Sequence, residues 1–551
     1  MKRIALVALL ALGVGVSVPR AQLRVAPVGE DQGHVALGLA LRHLGNAGIF
    51  MMATAHPDDE NNALLVMLNR GQGVRTTLAT ATRGNGGQNE IGPEIFEALG
   101  VLRTEELAAL HRFDGAEQYF TRAVDFGFSF SVEETLEKWG HDEILGDYVR
   151  LIRTIRPDVM TGLSPVGTGG GQHHQTSARL ALEAFRAAAD PARFPEQIAE
   201  GLHPWQPQKI YFMTQFGGPG DPSAPAPAKT LTISLSRFDP LLGKTYAEIG
   251  TESRSMHKCQ GMAQLLSLPG PSASTYYLAD TVLSGGTTRD ESTLFDGVDV
   301  SVAGLGRFAG ATPPPALTEG LRGITDAVQS AQRAFESASD GAVVAPLTTG
   351  LRDVRALRTT LASLGLSAEA RFEIDYRLAQ KEQEFQQALL LANGVRLEAL
   401  AGDGVVVPGQ SMPVSVIVAN RGAADVAVEQ VSFAGFDAST PCSLTAVASA
   451  NAFAGMAGGR GGSSAPAMPQ ATLRRDQVSQ CAPMLTVPAT ARPTEPYWHR
   501  AGDAGRYTFD ADAPFGLPYR PTPFGVELRM TIGSGSAAER VVARLPVQYR
   551  Y

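Results

Sequence analysis

Hydrophobic and polar positions change rhythm along this chain. Between residues 47 and 216, short apolar runs of strand length alternate with stretches of helical spacing. Residues 49–55 form a continuous apolar run and predict a strand; residues 61–69 predict a helix. Residues 75–81 predict a second strand, since they are apolar and β-branched and Gly73 precedes them. A Gly-rich loop at 83–87 leads to a predicted helix over 93–110. Residues 143–155 carry one stripe of Ile144, Leu145, Tyr148, Leu151, Ile152 and Ile155, the spacing of an amphipathic helix, and Pro157 ends it. Residues 158–163 and 209–213 predict further strands, with a helix over 175–188 between them. Strand alternating with helix predicts an α/β fold: a Rossmann-like, mostly parallel sheet with helices on both faces.

The rest of the chain reads differently. Residues 217–229 are rich in Gly, Pro and Ala and read as a loop, and 230–310 carry no clear period. Ala311-Thr312-Pro313-Pro314-Pro315 is a stiff break. Helical spacing then covers 317–337, 347–364 and 368–391, and Gly394 ends it. From 396 onward short Val-rich runs at 414–418 and 426–431, with Asn420-Arg421-Gly422 between them, predict an all-β, Ig-like sandwich. Residues 453–468 read as a flexible insertion in it. The expected organisation is a segment 1–21 that is removed, an α/β domain over 40–310, a helical segment over 316–394, and the sandwich over 396–551. The closing run 541–551 is strand-like and without a tail, so the last domain is expected to continue past it. The sandwich is expected to be dispensable for chemistry.

Composition narrows the class. A chain of 551 residues with 44% hydrophobic residues is long enough for several packed domains. Its formal net charge of -8 argues against a nucleic-acid partner. Lys2-Arg3, the apolar run 4–16 and then Ser17, Pro19 and Ala21 follow the order of a signal peptide; the run is shorter than the roughly 20 residues that span a bilayer. A secreted or periplasmic mature chain without a transmembrane span is expected. Of three cysteines, Cys442 and Cys481 lie close enough in sequence to pair, and Cys259 is expected to be a buried thiol.

The candidate chemistry sits at two predicted strand ends, where open α/β sheets place their sites. After the first strand comes Ala55-His56-Pro57-Asp58-Asp59-Glu60. His56 and Asp59 are suitable ligands for a zinc-type ion, and Asp58 is a spare acid for metal-assisted hydrolysis. After the strand 158–163 comes Gly169-Gly170-Gly171-Gln172-His173-His174, an expected source of the third ligand. The competing reading of the first motif is an acidic turn that caps a helix.

These residues carry a resemblance. Ala55–Glu60 with its strand is similar to the signature of the PIG-L/LmbE family of zinc-dependent N-deacetylases. Arg103-Thr104-Glu105-Glu106-Leu107 resembles that family's Arg-x-x-Glu-Leu helix, and Arg156-Pro157-Asp158-Val159 the strand leading to the third ligand. The resemblance covers roughly residues 47–265. It implies one Zn2+ per chain held by His56, Asp59 and His174, Asp58 as general base, and Arg103 at the substrate; apart from the resemblance, Arg83 in the Gly-rich loop is a further candidate substrate contact, against the reading of that loop as a flexible connection. The substrate implied is an N-acetylated sugar or glycoconjugate. The family's oxyanion-stabilising His falls here on Gly171; His173 or His257 is the expected replacement, or the zinc acts alone. His173 is therefore a second candidate catalytic residue.

Overall fold

The computed structural model describes residues 31–166, 171–214, 229–262, 265–337, 339–437, 441–447 and 468–549. The segment 1–21 and nearly all of the insertion 453–468 lie outside them. The α/β part runs α1 (Gly33–Leu44), β1 (Ile49–Thr54), α2 (Asn62–Val66), β2 (Arg75–Thr80), α3 (Glu97–Asp114), β3 (Glu117–Phe120), α4 (Val132–Trp139), α5 (His141–Ile155), β4 (Val159–Gly162), α6 (His173–Ala187), α7 (Pro195–Ala199), β5 (Lys209–Met213), β6 (Leu231–Ser234), the small pair β7 (Phe238–Asp239) and β8 (Lys244–Thr245), α8 (Tyr246–Arg254) and β9 (Ala273–Thr281). Three long helices follow: α9 (Pro315–Ser337), α10 (Val344–Thr360) and α11 (Ala368–Ala392).

Seven strands form the main sheet in the order β3-β2-β1-β4-β5-β9-β6. β3, β2, β1, β4 and β5 are parallel; β9 runs antiparallel to β5, and β6 to β9. The unpatterned region 230–310 thus supplies the antiparallel edge. β1 and β2 are buried at every position, as strands covered on both faces must be. Strand order reverses between β1 and β4, which neighbour each other while leading to connections on opposite sides. That crevice is the topological switch point.

Two predicted helices shift. The helix expected at 61–69 is α for Asn62–Val66 and then widens to a π-turn over Met67–Gly71. The helix expected from 93 starts at Glu97, because Phe96 sits at φ 57° and breaks the turn.

The last part contains β10 (Val395–Ala401), β11 (Ser411–Asn420), β12 (Val426–Ala434), β13 (Thr445–Ala446), β14 (Thr472–Leu473), β15 (Gln477–Cys481), β16 (Met484–Thr486), β17 (Trp498–Arg500), β18 (Tyr507–Phe509), β19 (Gly525–Ile532) and β20 (Glu539–Pro546). One antiparallel sheet has the order β10-β11-β15-β13 with β16 also on β11; another has β14-β12-β19-β20. β11 and β12 therefore lie in different sheets, and Asn420-Arg421-Gly422 carries the chain between them. Cys442 and Cys481 are bonded, with Cα atoms 5.6 Å apart, and Cys259 is a buried free thiol.

Packing does not divide the chain where the sequence pattern does. One apolar cluster joins α1, α9, α10, α11 and the inner faces of both C-terminal sheets. Ion pairs seal α11 to the main sheet: the buried Arg377 guanidinium meets both oxygens of Asp158, at 2.9 and 3.1 Å. The β17–β18 hairpin and the turn after it run back along the β3 edge. Phe120 N donates to Gly516 O (2.7 Å), Val124 N to Gly505 O (2.9 Å), and Tyr507 N to Arg122 O (2.8 Å). These contacts tie the C-terminal region to the β3 edge of the α/β part. Short hairpins and turns between sandwich strands have no hydrophobic period, so their docking left no trace in the sequence pattern.

Candidate metal centre

β1 ends at Thr54, and the chain turns through Ala55–Glu60 beside the end of β4. Asp59 shapes this turn. Its Oδ2 accepts from Ala55 N (3.0 Å) and His56 N (2.7 Å), leaving Oδ1 to face His174 Nε2 at 3.2 Å. His56 Nδ1 lies 3.2 Å from His174 Nε2 and 3.6 Å from Asp59 Oδ2. Two ligand atoms about 2.1 Å from a tetrahedral zinc lie about 3.4 Å apart. The two histidine nitrogens fit that spacing, and the ligand atoms of His56, Asp59 and His174 all lie within 4.8 Å of one another. His174 Nδ1 is 3.2 Å from Gly171 O; donating there keeps its Nε2 lone pair on the ligand side.

Asp58 stands next to the triad in a backbone conformation costly for a non-glycine residue, φ 101°. The turn is held from several sides. Asp58 N donates to Glu60 Oε2 (2.9 Å), and Arg254 donates to Asp58 O (2.7 Å). Arg103 is buried; it donates to Gly84 O (2.9 Å) and to Pro57 O, and its Nη2 is 3.5 Å from Asp58 Oδ1. Glu60 is bonded to the fully buried His257 at 2.6 Å. Burial opposes ionisation of Glu60, but His257 wins and holds it down at about 2. Burial, then the charge of Asp59, pushes the Asp58 carboxyl up to about 6. That range suits a group that exchanges protons near neutrality.

The histidines of α6 divide the work. Consecutive helical side chains point about 100° apart, so His174 joins the triad while His173 turns inward. His173 Nδ1 lies 2.9 Å from His56 Nε2, and its ring packs between Trp139 and Phe126, with centroids 4.9 and 4.3 Å away. Burial, then the neighbouring His56, lowers its pKa to about 3, so it is neutral. For His174 burial works against the charge, yet Asp59 prevails and raises it to about 9. Asp59 is correspondingly held well below the usual carboxylate range: the two histidines outweigh its burial.

The structure brings together His56, Asp58, Asp59, His173 and His174, with Arg103 behind the turn. It does not bring Arg83 or His257 into this group. Arg83 is buried, its guanidinium 3.4 Å from the Trp498 ring centroid and 4.2 Å from that of Phe120, donating to Pro518 O at 3.0 Å. His257 is committed to Glu60. Gly171 sits at φ 83°, with the Phe128 ring 3.5 Å from where a Cβ would stand, so a side chain there is strained whatever the space. Sequence reasoning missed Asp125, Phe126 and Trp139. They follow β3, a four-residue strand with two polar positions in Glu117–Phe120, too short to announce a site after it.

Protonation of His174 has a direct consequence. A histidine must give up its extra proton to ligate a metal, so metal binding below about pH 9 displaces the His174 proton. Calorimetric zinc titrations at pH 7.5 in two buffers of different ionisation enthalpy should report about one proton released per ion. A buffer-independent enthalpy would place His174 outside the coordination set. In the metal-free protein this ion pair's stability is fully present below pH 6.5 and is lost as pH rises through about 9.

An open α/β sheet with a His/Asp donor set at its switch point defines the class: an α/β protein with a side-chain group that could hold a metal ion. Comparison with known proteins then names the family. Residues 51–185 match the family described as "PIG-L: GlcNAc-PI de-N-acetylase", so this stretch is similar to the PIG-L/LmbE deacetylases. A 1D-myo-inositol 2-acetamido-2-deoxy-alpha-D-glucopyranoside deacetylase of Streptomyces scabiei is 31% identical over 180 residues, covering 29% of this chain and 54% of that protein. A Mycothiol S-conjugate amidase of Streptomyces coelicolor is 27% identical over 189 residues, covering 31% of this chain and 61% of that protein. The chain thus spans little more than half the length of these curated relatives. An N,N'-diacetylchitobiose deacetylase structure from Pyrococcus horikoshii, complexed with its inhibitor MPG, is 14% identical, with 41% of this chain and 84% of that one covered at a TM-score of 0.29.

Proposed function

We propose that this protein is an exported, zinc-dependent amide hydrolase that removes acetyl from an N-acetylated amino sugar or glycoconjugate. The observation that carries this reading is the His56, Asp59, His174 set, its ligand atoms within 4.8 Å of one another, with Asp58 beside it. The relatives named for glucosamine-inositol deacetylation support the substrate class. A zinc ion held by the triad would polarise the amide carbonyl and acidify a water. Asp58 takes the water's proton and returns it to the leaving amine, so one carboxylate serves as base and then acid. Arg103 positions that carboxylate by holding the turn through Pro57 O. His257 is bonded to Glu60 and His173 faces His56, so neither is placed to meet the carbonyl oxygen; a metal held by the triad would supply that polarisation. Arg83 is proposed as a structural residue rather than a substrate contact.

Export rests on the N-terminal pattern and on the Cys442–Cys481 bond, which persists in oxidising compartments. No helix among the described residues is long and apolar enough to cross a membrane. The similarity to an S-conjugate amidase favours one second reading, hydrolysis of another amide conjugate. An acetate-release screen of the zinc-loaded protein over N-acetylglucosamine conjugates tests the first reading. Turnover of acylated thiol conjugates without acetate release from any amino sugar would favour the second.

A further inference from the structure

The two ring nitrogens of His56 face different partners. Nδ1 belongs to the triad, and Nε2 points away from it, 2.9 Å from His173 Nδ1. We propose that His173 is a positioning residue: by accepting the His56 Nε2–H it locks the tautomer and ring angle of His56 and so sets the metal affinity of the site. The inference rests on the metal reading above and deepens it.

The direction of the hydrogen bond follows from proton counting. A neutral imidazole carries one N–H. When Nδ1 of His56 gives its lone pair to a metal, the proton must sit on Nε2. The nearest acceptor is His173 Nδ1, whose other polar neighbour, Asp125 Oδ1, is 3.7 Å away and too far for a hydrogen bond. His173 must then carry its own proton on Nε2. That atom is buried and has no hydrogen-bond partner. Leaving a buried donor unmatched is unfavourable, and the arrangement is held because the ring is fixed by packing. Trp139 stacks on it with planes 30° apart, Phe126 meets it edge-on at 81°, and Trp139 is itself anchored by Nε1 donating to Val124 O at 2.9 Å. A side chain clamped in this way presents its one acceptor to His56 and nothing to solvent. Partners of this kind orient a ligating histidine, and their loss typically lowers metal affinity 10–100-fold.

The test separates the acceptor from the ring. His173→Asn keeps an acceptor near the Nδ1 position and gives up the ring; His173→Phe keeps a ring for Trp139 and gives up the acceptor. Zn2+ affinity of the full chain is measured by competition with a chromophoric chelator, with circular dichroism to monitor the fold. The expected result is near-native affinity for His173→Asn and a loss of about 10–100-fold for folded His173→Phe. Native affinity in His173→Phe, or a loss confined to His173→Asn, overturns the proposal while leaving the triad intact. A wild-type chain that binds no Zn2+ overturns both. An arm without substitution uses zinc-loaded wild type labelled with 15N-histidine: the proton belongs on His56 Nε2, and a proton on His173 Nδ1 would overturn the assignment.

Discussion

A chain cut after Gly394 is expected to lose the fold of its α/β domain, not merely its sandwich. Removal of residues 395–551 strips the backbone partners from Phe120 and Val124 at the β3 edge. It uncovers the Arg83 guanidinium, which would lose Trp498 and the Pro518 carbonyl. It also exposes the faces of α9, α10 and α11 that share a cluster with Val416, Val418, Leu528 and Val541. Bared faces of that size favour aggregation over refolding. A smaller change isolates the hairpin: Trp498 is buried, and Trp498→Ala should cost about 3–5 kcal/mol, the range for a large aromatic removed from a core. Denaturant unfolding of the full chain and the variant measures it. A cut chain that remains soluble, folded and metal-loaded would show that the hairpin only decorates the β3 edge.

Asp58→Asn is expected to keep the metal and lose the rate. Asp58 is not among the three donors, and the amide conserves the shape of the turn. An amide cannot accept the water's proton, so kcat should fall by about 10²–10⁴ with KM little changed. The wild-type profile follows from the same group. Its carboxyl is raised to about 6 by burial and Asp59, and a base works only when deprotonated, so activity falls as pH drops through that region. A bound cation moves this acid limb to lower pH. The variant should have no such limb in its residual activity. Loss of zinc together with activity would make Asp58 a ligand instead.

Sequence pattern carried the central parallel strands for two reasons: residues 49–54 read as a nearly unbroken apolar run, and 75–80, rich in β-branched Thr after Gly73, read as a strand despite Arg75. It carried His56, Asp59 and His174 because both ligand motifs interrupt such runs at strand ends. The antiparallel edge was not legible. β6 alternates buried and exposed positions over only four residues, and β9 is a mixed run of nine with Thr and Tyr outnumbering aliphatic residues. Nor was the role of Arg83. A Gly-rich loop after a strand suggests a ligand contact, whereas the guanidinium is consumed by Trp498, more than four hundred residues away in sequence. His173 and His174 show the limit most clearly. Adjacent in sequence and alike in chemistry, they are separated only by the turn of α6, which sends one to the donor set and the other to Trp139.

Zinc content of the full chain and of His174→Ala, each exchanged against excess Zn2+ and then desalted, bears most directly on the central claim. About one ion per wild-type chain and almost none in a folded His174→Ala is the expected result, because the proposed site has three protein donors and His174 is one of them. Wild type that emerges empty, or His174→Ala that retains a full ion, would contradict it.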